Sequence, residues 1–145
     1  MESKMKRVPV LIAAVAVCSL IALMSVNADD KKAEPNMKAQ VAHLVFYTLN
    51  DDTPENRATL LGRIDKYLSG HEGVVHFSAG EIAEDMNRSV NDREFHVSMN
   101  FVFANRKAHD TYNDHPKHEE FKAINKGLIA KVRVFDTYLV SKASK

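Results

Sequence analysis

The chain has 145 residues, room for one domain. Its 20 Lys+Arg against 19 Asp+Glu exclude a polycation, so neither nucleic acid nor an anionic membrane surface is expected as a partner. A single cysteine, Cys18, excludes an internal disulfide framework, and the fold must be held by its core and by association.

Lys4, Lys6 and Arg7 precede a run from Val8 to Val26 that carries no charge. Val26-Asn27-Ala28 before Asp29 resembles a small-residue cleavage site. A basic start, an apolar run and such a site describe a secretory signal peptide over residues 1–28. The run also reaches the roughly 18 residues that span a bilayer, so an uncleaved membrane anchor is the alternative. The expected location is secreted or periplasmic, with membrane attachment only if the leader is retained. Cys18 sits mid-run behind Val17, which argues against a lipid-modified cysteine. The leader holds three basic residues and one acid, so the remainder has 17 Lys+Arg against 18 Asp+Glu. Residues 29–40 are polar and read as a flexible linker.

Val41–Leu49 reads as a first strand. Val41, His43, Val45, Tyr47 and Leu49 alternate with Ala42, Leu44, Phe46 and Thr48. Both sets are mostly apolar, so both sides of the strand are expected to be covered. Thr53 and Pro54 are an N-cap and first helical position, and Leu61, Ile64 and Leu68 recur at helical spacing up to Ser69-Gly70. A second strand is expected over 74–82, then a polar loop over 83–92, which contains a glycosylation-type Asn87-Arg88-Ser89. A third strand over 93–103 alternates Phe95, Val97, Met99, Phe101 and Phe103 with Glu94, His96, Ser98 and Asn100. The aromatic set is assigned to the helices. The polar set is assigned to the other face, together with His43 and Tyr47. On that reading His43, Tyr47 and His96 are ligand-binding candidates in a partly polar cavity.

Residues 105–114 read as a short helix that His115-Pro116 interrupts, because proline disfavours helix in the residue before it. Pro116 restarts a helix to about Lys126, with Phe121, Ile124 and Leu128 as its apolar stripe. A last strand is expected over 130–140 and a frayed tail over 141–145. The order β-α-β-β-α-β is that of a ferredoxin-like α+β domain over 41–140. Its four-stranded antiparallel sheet should run 4-1-3-2 with the helices on one face. Val41, Val45, Leu49, Val132 and Val134 are assigned to the open face, too apolar to stay wet in a monomer. A face-to-face homodimer closing two sheets into a barrel is the simplest cover.

His43-Leu44-Val45-Phe46, Gly73-Val74, Gly80 and Phe103 lead to the block Tyr112-Asn113-Asp114-His115-Pro116-Lys117-His118 followed by Phe121. Val134-Phe135-Asp136-Thr137-Tyr138 closes the last strand. With these residues the chain resembles the stress-responsive dimeric α/β-barrel (Dabb) proteins over about 41–140. Glu72 departs from the family's usual proline before Gly73. The resemblance implies a homodimeric α+β barrel, in most members without established catalysis. Some plant relatives cyclise polyketide chains with a tyrosine and histidine acid/base pair. By position that pair is Tyr112 and His118, with His43 nearby. Related dimeric barrels include monooxygenases and haem-handling enzymes, whose motifs are not evident here.

In the catalytic version His118 is a base, Tyr112 an electrophilic donor and His43 an orienting group. The favoured alternative is structural: the imidazoles at the break hydrogen-bond backbone groups the interrupted helix leaves open. His109, His115 and His118 with Asp110, Asp114 and Glu119 offer many metal ligands locally, but the break at Pro116 argues against their convergence. No metal and no cofactor is therefore expected. Asp136 is assigned a structural role. The functional expectation is an exported homodimer that binds a small, largely apolar ligand; the alternative is a cyclase- or monooxygenase-like enzyme.

Overall fold

The computed structural model describes residues 38–140. The leader at 1–28, most of the linker and the tail at 141–145 lie outside the described residues. Within them the elements are β1 (Val41–Leu49), α1 (Pro54–Leu68), β2 (Val74–Glu81), β3 (Val97–Phe103), α2 (Arg106–Asn113), α3 (Pro116–Ile124) and β4 (Ile129–Tyr138). They form one antiparallel sheet in the order β2-β3-β1-β4, as the β-α-β-β-α-β order predicts. No described helix is long and apolar enough to cross a membrane.

Local chemistry explains the helix starts. Thr53 is extended and its hydroxyl accepts the Asn56 amide at 3.2 Å, while Pro54 takes the first helical position. Asn105 caps α2 in the same way through the Ala108 amide at 3.0 Å. Gly73 enters β2 at φ 79°, and a Cβ there would stand 2.5 Å from Ala108 Cβ. Glycine thus serves both the left-handed turn and the close approach of α2.

The core lies between α1 and the middle of the sheet. Leu60, Ile64 and Leu68 are fully buried, as are Val97 and Phe103 beneath them on the sheet, with Met99 and Phe101 nearly so. α3 adds Phe121, edge-on to Tyr47 at 6.2 Å between ring centres.

The pairing register corrects the expected assignment of faces. His43 stands opposite Phe101, Val45 opposite Met99 and Tyr47 opposite Val97. On the other side the same three residues face Asp136, Val134 and Val132. Directly paired residues share a face. His43 and Tyr47 therefore lie on the helix side, apart from Ser98 and Asn100. Val41, Val45, Leu49, Val132 and Val134 lie there too, rather than on the open face. The helix-free face carries Ala42, Leu44, Phe46, Ser98, Asn100, Val102 and Phe135. Both sets on β1 are apolar, so periodicity alone could not phase the strand. β3 also starts at Val97 rather than Arg93, and Phe95 leaves the expected set to meet Phe46 at 4.9 Å.

Candidate functional site

The helices do not cover β4. Val132 and Val134 are 48% and 47% exposed although they face the helix side. The gap between β4, β1 and the α2–α3 pair is a cleft of about 690 Å³. Val45, Met99, Phe121, Ile129, Val132 and Val134 make apolar walls. His43, His109, Tyr112, His118 and Asp136 make a polar end, and Lys122, Asn125 and Lys126 also line the cleft.

The α2–α3 junction builds part of that end. His115 is extended (φ −71°, ψ 137°), as a residue before proline must be, and its Nδ1 accepts the Lys117 amide at 3.1 Å. His118, in the first turn of α3, donates from Nδ1 to the Asn113 carbonyl at 2.9 Å. That carbonyl is one that the end of α2 leaves open. The bond turns the His118 ring flat onto Tyr112, with centres 4.8 Å apart and planes 28° apart. In a neutral ring the other nitrogen, Nε2, carries the lone pair. His71, in the α1–β2 turn, donates to the Tyr67 carbonyl at 3.1 Å and meets Tyr112 edge-on at 5.1 Å.

Tyr112 is 1% exposed. Phe101, Phe103, His43, His71 and His118 surround its ring. Its buried hydroxyl has no hydrogen-bond partner among the described residues. Burial raises the pKa of that hydroxyl well above the usual tyrosine range, so it stays a neutral donor. Desolvation raises that of Tyr47 in the same direction.

His43 is 7% exposed, the one buried histidine among the described residues. Its Nδ1 lies 2.6 Å from Asp136 Oδ1 and is the donor, since a carboxylate can only accept. Desolvation lowers the His43 pKa, and the Asp136 bond opposes this. The result is a neutral imidazole held in one tautomer by a carboxylate.

Of the residues singled out in the sequence, His43, Tyr47, Tyr112 and His118 line one cleft. His96 does not line it. It precedes β3, its Nδ1 accepts the Leu49 amide at 3.0 Å and its Nε2 lies 3.6 Å from Asp52. It closes the lower end of β1 instead. His109 and Asp136 were missed as members of the site. Asp136 follows Val132 and Val134 in the same alternation, and an antiparallel pairing of β1 with β4 would have placed it opposite His43. One ligand atom each from His43, His109 and Asp136 lie within 4.8 Å of one another, a grouping that differs from the local cluster considered in the sequence. The local cluster weighed in the sequence splits at Pro116. His115 caps α3, His118 bonds Asn113, and only His109 joins that set.

The sequence matches the Stress responsive A/B Barrel Domain (Dabb) family over residues 41–139. No curated protein matches it significantly. A Dabb family protein from Mesorhizobium loti, described as having a ferredoxin-like fold, superposes with a TM-score of 0.59 at 24% identity, covering 71% of this chain and 99% of its own. A dimeric ferredoxin-like protein of unknown function from Thermobifida fusca gives 0.57 at 15%, covering 73% and 99%. A hydroxynitrile lyase from Passiflora edulis gives 0.58 at 14%, covering 74% and 99%. At these identities the likeness is one of fold. The family match spans every strand and helix described above, and the chain belongs to the Stress responsive A/B Barrel Domain family.

Proposed function

We propose that this Dabb protein is exported and homodimeric, and that its cleft binds a small, largely apolar molecule carrying one carbonyl or hydroxyl group. The observation that carries this is Tyr112, which lines the polar end of a cleft with apolar walls and whose buried hydroxyl has no partner among the described residues. An unsatisfied buried hydroxyl costs about 1–3 kcal/mol, which a ligand acceptor would recover. A cleft with apolar walls and a few convergent polar groups is the usual form of a small-molecule site. Carbonyl-bearing ligands are favoured, because Tyr112 can only donate to them while His43 and His118 stand beside it.

The dimer reading rests on the helix-free face. Phe46 meets Phe95 at 4.9 Å and Phe135 at 5.8 Å, and Phe135 is 52% exposed. An apolar cluster of this kind at the centre of an uncovered sheet marks an interface. The Thermobifida fusca protein of the same fold is described as dimeric. Sedimentation of the mature domain should give a dimer at micromolar concentration, and Phe135→Asp should shift it to monomer. A wild-type monomer would contradict the reading. Export rests on residues 1–28, and mass spectrometry of the exported protein should find an N-terminus at Asp29.

The ligand reading is tested by NMR mapping with small aliphatic and aromatic ketones. Methyl resonances of Met99, Val132 and Val134 should move while those of Leu60 and Ile64 do not. Shifts confined to the Phe46–Phe135 face would contradict it. A second reading, acid–base catalysis, is favoured by one observation: His118 lies stacked on Tyr112 with Nδ1 occupied and Nε2 left as a base. The Passiflora edulis lyase shares the fold, not a demonstrated reaction. Turnover of any bound ketone that disappears in His118→Ala would favour this reading over binding alone.

A further inference from the structure

His43 from β1, His109 from α2 and Asp136 from β4 meet at the polar end of the cleft. His43 Nδ1 lies 2.6 Å from Asp136 Oδ1, and His109 Nε2 lies 3.8 Å from the same oxygen. The His43 and His109 rings are 5.1 Å apart and nearly edge-on at 63°. A zinc ion bonds imidazole nitrogen and carboxylate oxygen at about 2.0–2.2 Å, so ligand atoms in a tetrahedral shell stand about 3.3 Å apart. The observed separations lie on either side of that value, and small side-chain rotations would bring all three to it.

His109 carries a second signature. Its Nδ1 faces Asp110 Oδ1 at 3.2 Å, and the same oxygen is held by Arg106 Nε at 2.6 Å. A carboxylate can only accept, so His109 Nδ1 is the donor of the bond to Asp110. The His109 Nε2 lies 3.8 Å from Asp136 Oδ1, so the ring stands between two carboxylates with one nitrogen toward each. A cation between Nε2 and Asp136 would be bound by both. A carboxylate on the outer nitrogen of a histidine whose inner nitrogen faces a metal is the usual second layer of zinc and related sites. His43 can join by moving its proton from Nδ1 to Nε2, which leaves the imidazole neutral and Nδ1 free to bind.

We propose that His43, His109 and Asp136 form a binding site for a divalent transition-metal ion, with zinc the best fit to two imidazoles and one carboxylate. Three protein ligands leave at least one coordination position open, the arrangement of sites that also take water or a ligand atom. The large cleft reaches all three residues, and a smaller one of about 140 Å³, lined by Arg106, His109, Asp136 and Tyr138, reaches two of them, so an entry path exists. The metal site does not rest on the ketone-binding reading. It requires neither the Tyr112 hydroxyl nor the apolar walls.

The test is calorimetric titration of the EDTA-stripped mature protein with Zn²⁺ alone, with Mg²⁺ as the oxygen-preferring control. One zinc per protomer is expected and no comparable magnesium binding. His109→Ala and Asp136→Asn should each weaken zinc by at least about tenfold, and Asp110→Asn by about tenfold through loss of ring orientation. Asp136 is half exposed and Asn is its isostere, so that variant reports even if His109→Ala does not fold. His115→Ala, which alters the other histidine group beside His71, should leave zinc binding unchanged. Co²⁺ should give visible absorption bands that His109→Ala abolishes. No zinc uptake would overturn the proposal. Equal binding by wild type, His109→Ala and Asp136→Asn would overturn it by placing the metal elsewhere.

Discussion

One face of one sheet is covered in two different ways. Beneath α1, over β2 and β3, the packing is dry: Leu60, Ile64, Leu68, Val97 and Phe103 are fully buried and apolar. Toward β4 the helices are short, broken at Pro116 and set back from the sheet. There the same face carries His43, Asp136 and half-exposed Val132 and Val134. A long helix with an uninterrupted apolar stripe closes its half of the face. Two short helices joined by a proline leave a cleft and turn three polar side chains of the junction region, His109, Tyr112 and His118, toward it. The fold's stability and its chemistry are therefore separated across β1, and substitutions on the two sides should behave differently.

The largest effect should come from the dry half. Ile64→Ala removes a fully buried side chain from beneath α1 and should cost about 2–5 kcal/mol in denaturant unfolding, without altering ligand or metal binding by the folded fraction. A change much below that would mean the α1 side is no better packed than the cleft side. Tyr112→Phe sits at the boundary and should have the opposite sign. It removes a buried hydroxyl without a partner, so the variant should be as stable as the wild type or more so, by about 1 kcal/mol. A marked loss of stability would mean that this hydroxyl is already satisfied.

The smallest effect is on pH dependence. Desolvation lowers the pKa of both His43 and His71 below the unfolded value of 6.5. On acidification the unfolded chain takes up these protons first, so the stabilising difference is present above about pH 6.5 and is lost as pH falls through the folded values. Thermal midpoints should therefore begin to drop as pH falls below about 6.5. His43→Gln should flatten part of the drop, and an unchanged profile would show that the His43 pKa is the same in the folded and unfolded protein.

Much of this fold was legible because its signals are local. Thr53-Pro54 and His115-Pro116 state their helix starts within two residues, and the alternation from Val97 to Phe103 declares a strand with one apolar side. The block from Tyr112 to His118 was recognisable as a junction, and its backbone-bonded imidazoles are those of the structural alternative. The site was less legible because its central pair is joined across 93 positions of sequence. Nothing near Asp136 marks it as the partner of His43; only the β1–β4 register does. For the same reason His96 was grouped with His43. Alternation puts His96 in the polar set of the third strand and assigns that set to one face with His43, and only the pairing separates one in the cleft from one that receives the Leu49 amide. The leader's role rests on residues 1–28 alone.

The central claim is that the cleft recognises a polar group on an apolar ligand through Tyr112. Thermal-shift titration of wild type and Tyr112→Phe with the same panel of small aliphatic and aromatic ketones tests it most directly, because a ligand that binds only the native state raises the midpoint in proportion to its affinity. At least one ketone should raise the midpoint of the wild type and raise that of Tyr112→Phe clearly less, although the unliganded variant is no less stable. Equal shifts in the two proteins, or no shift from any ketone, would contradict the account.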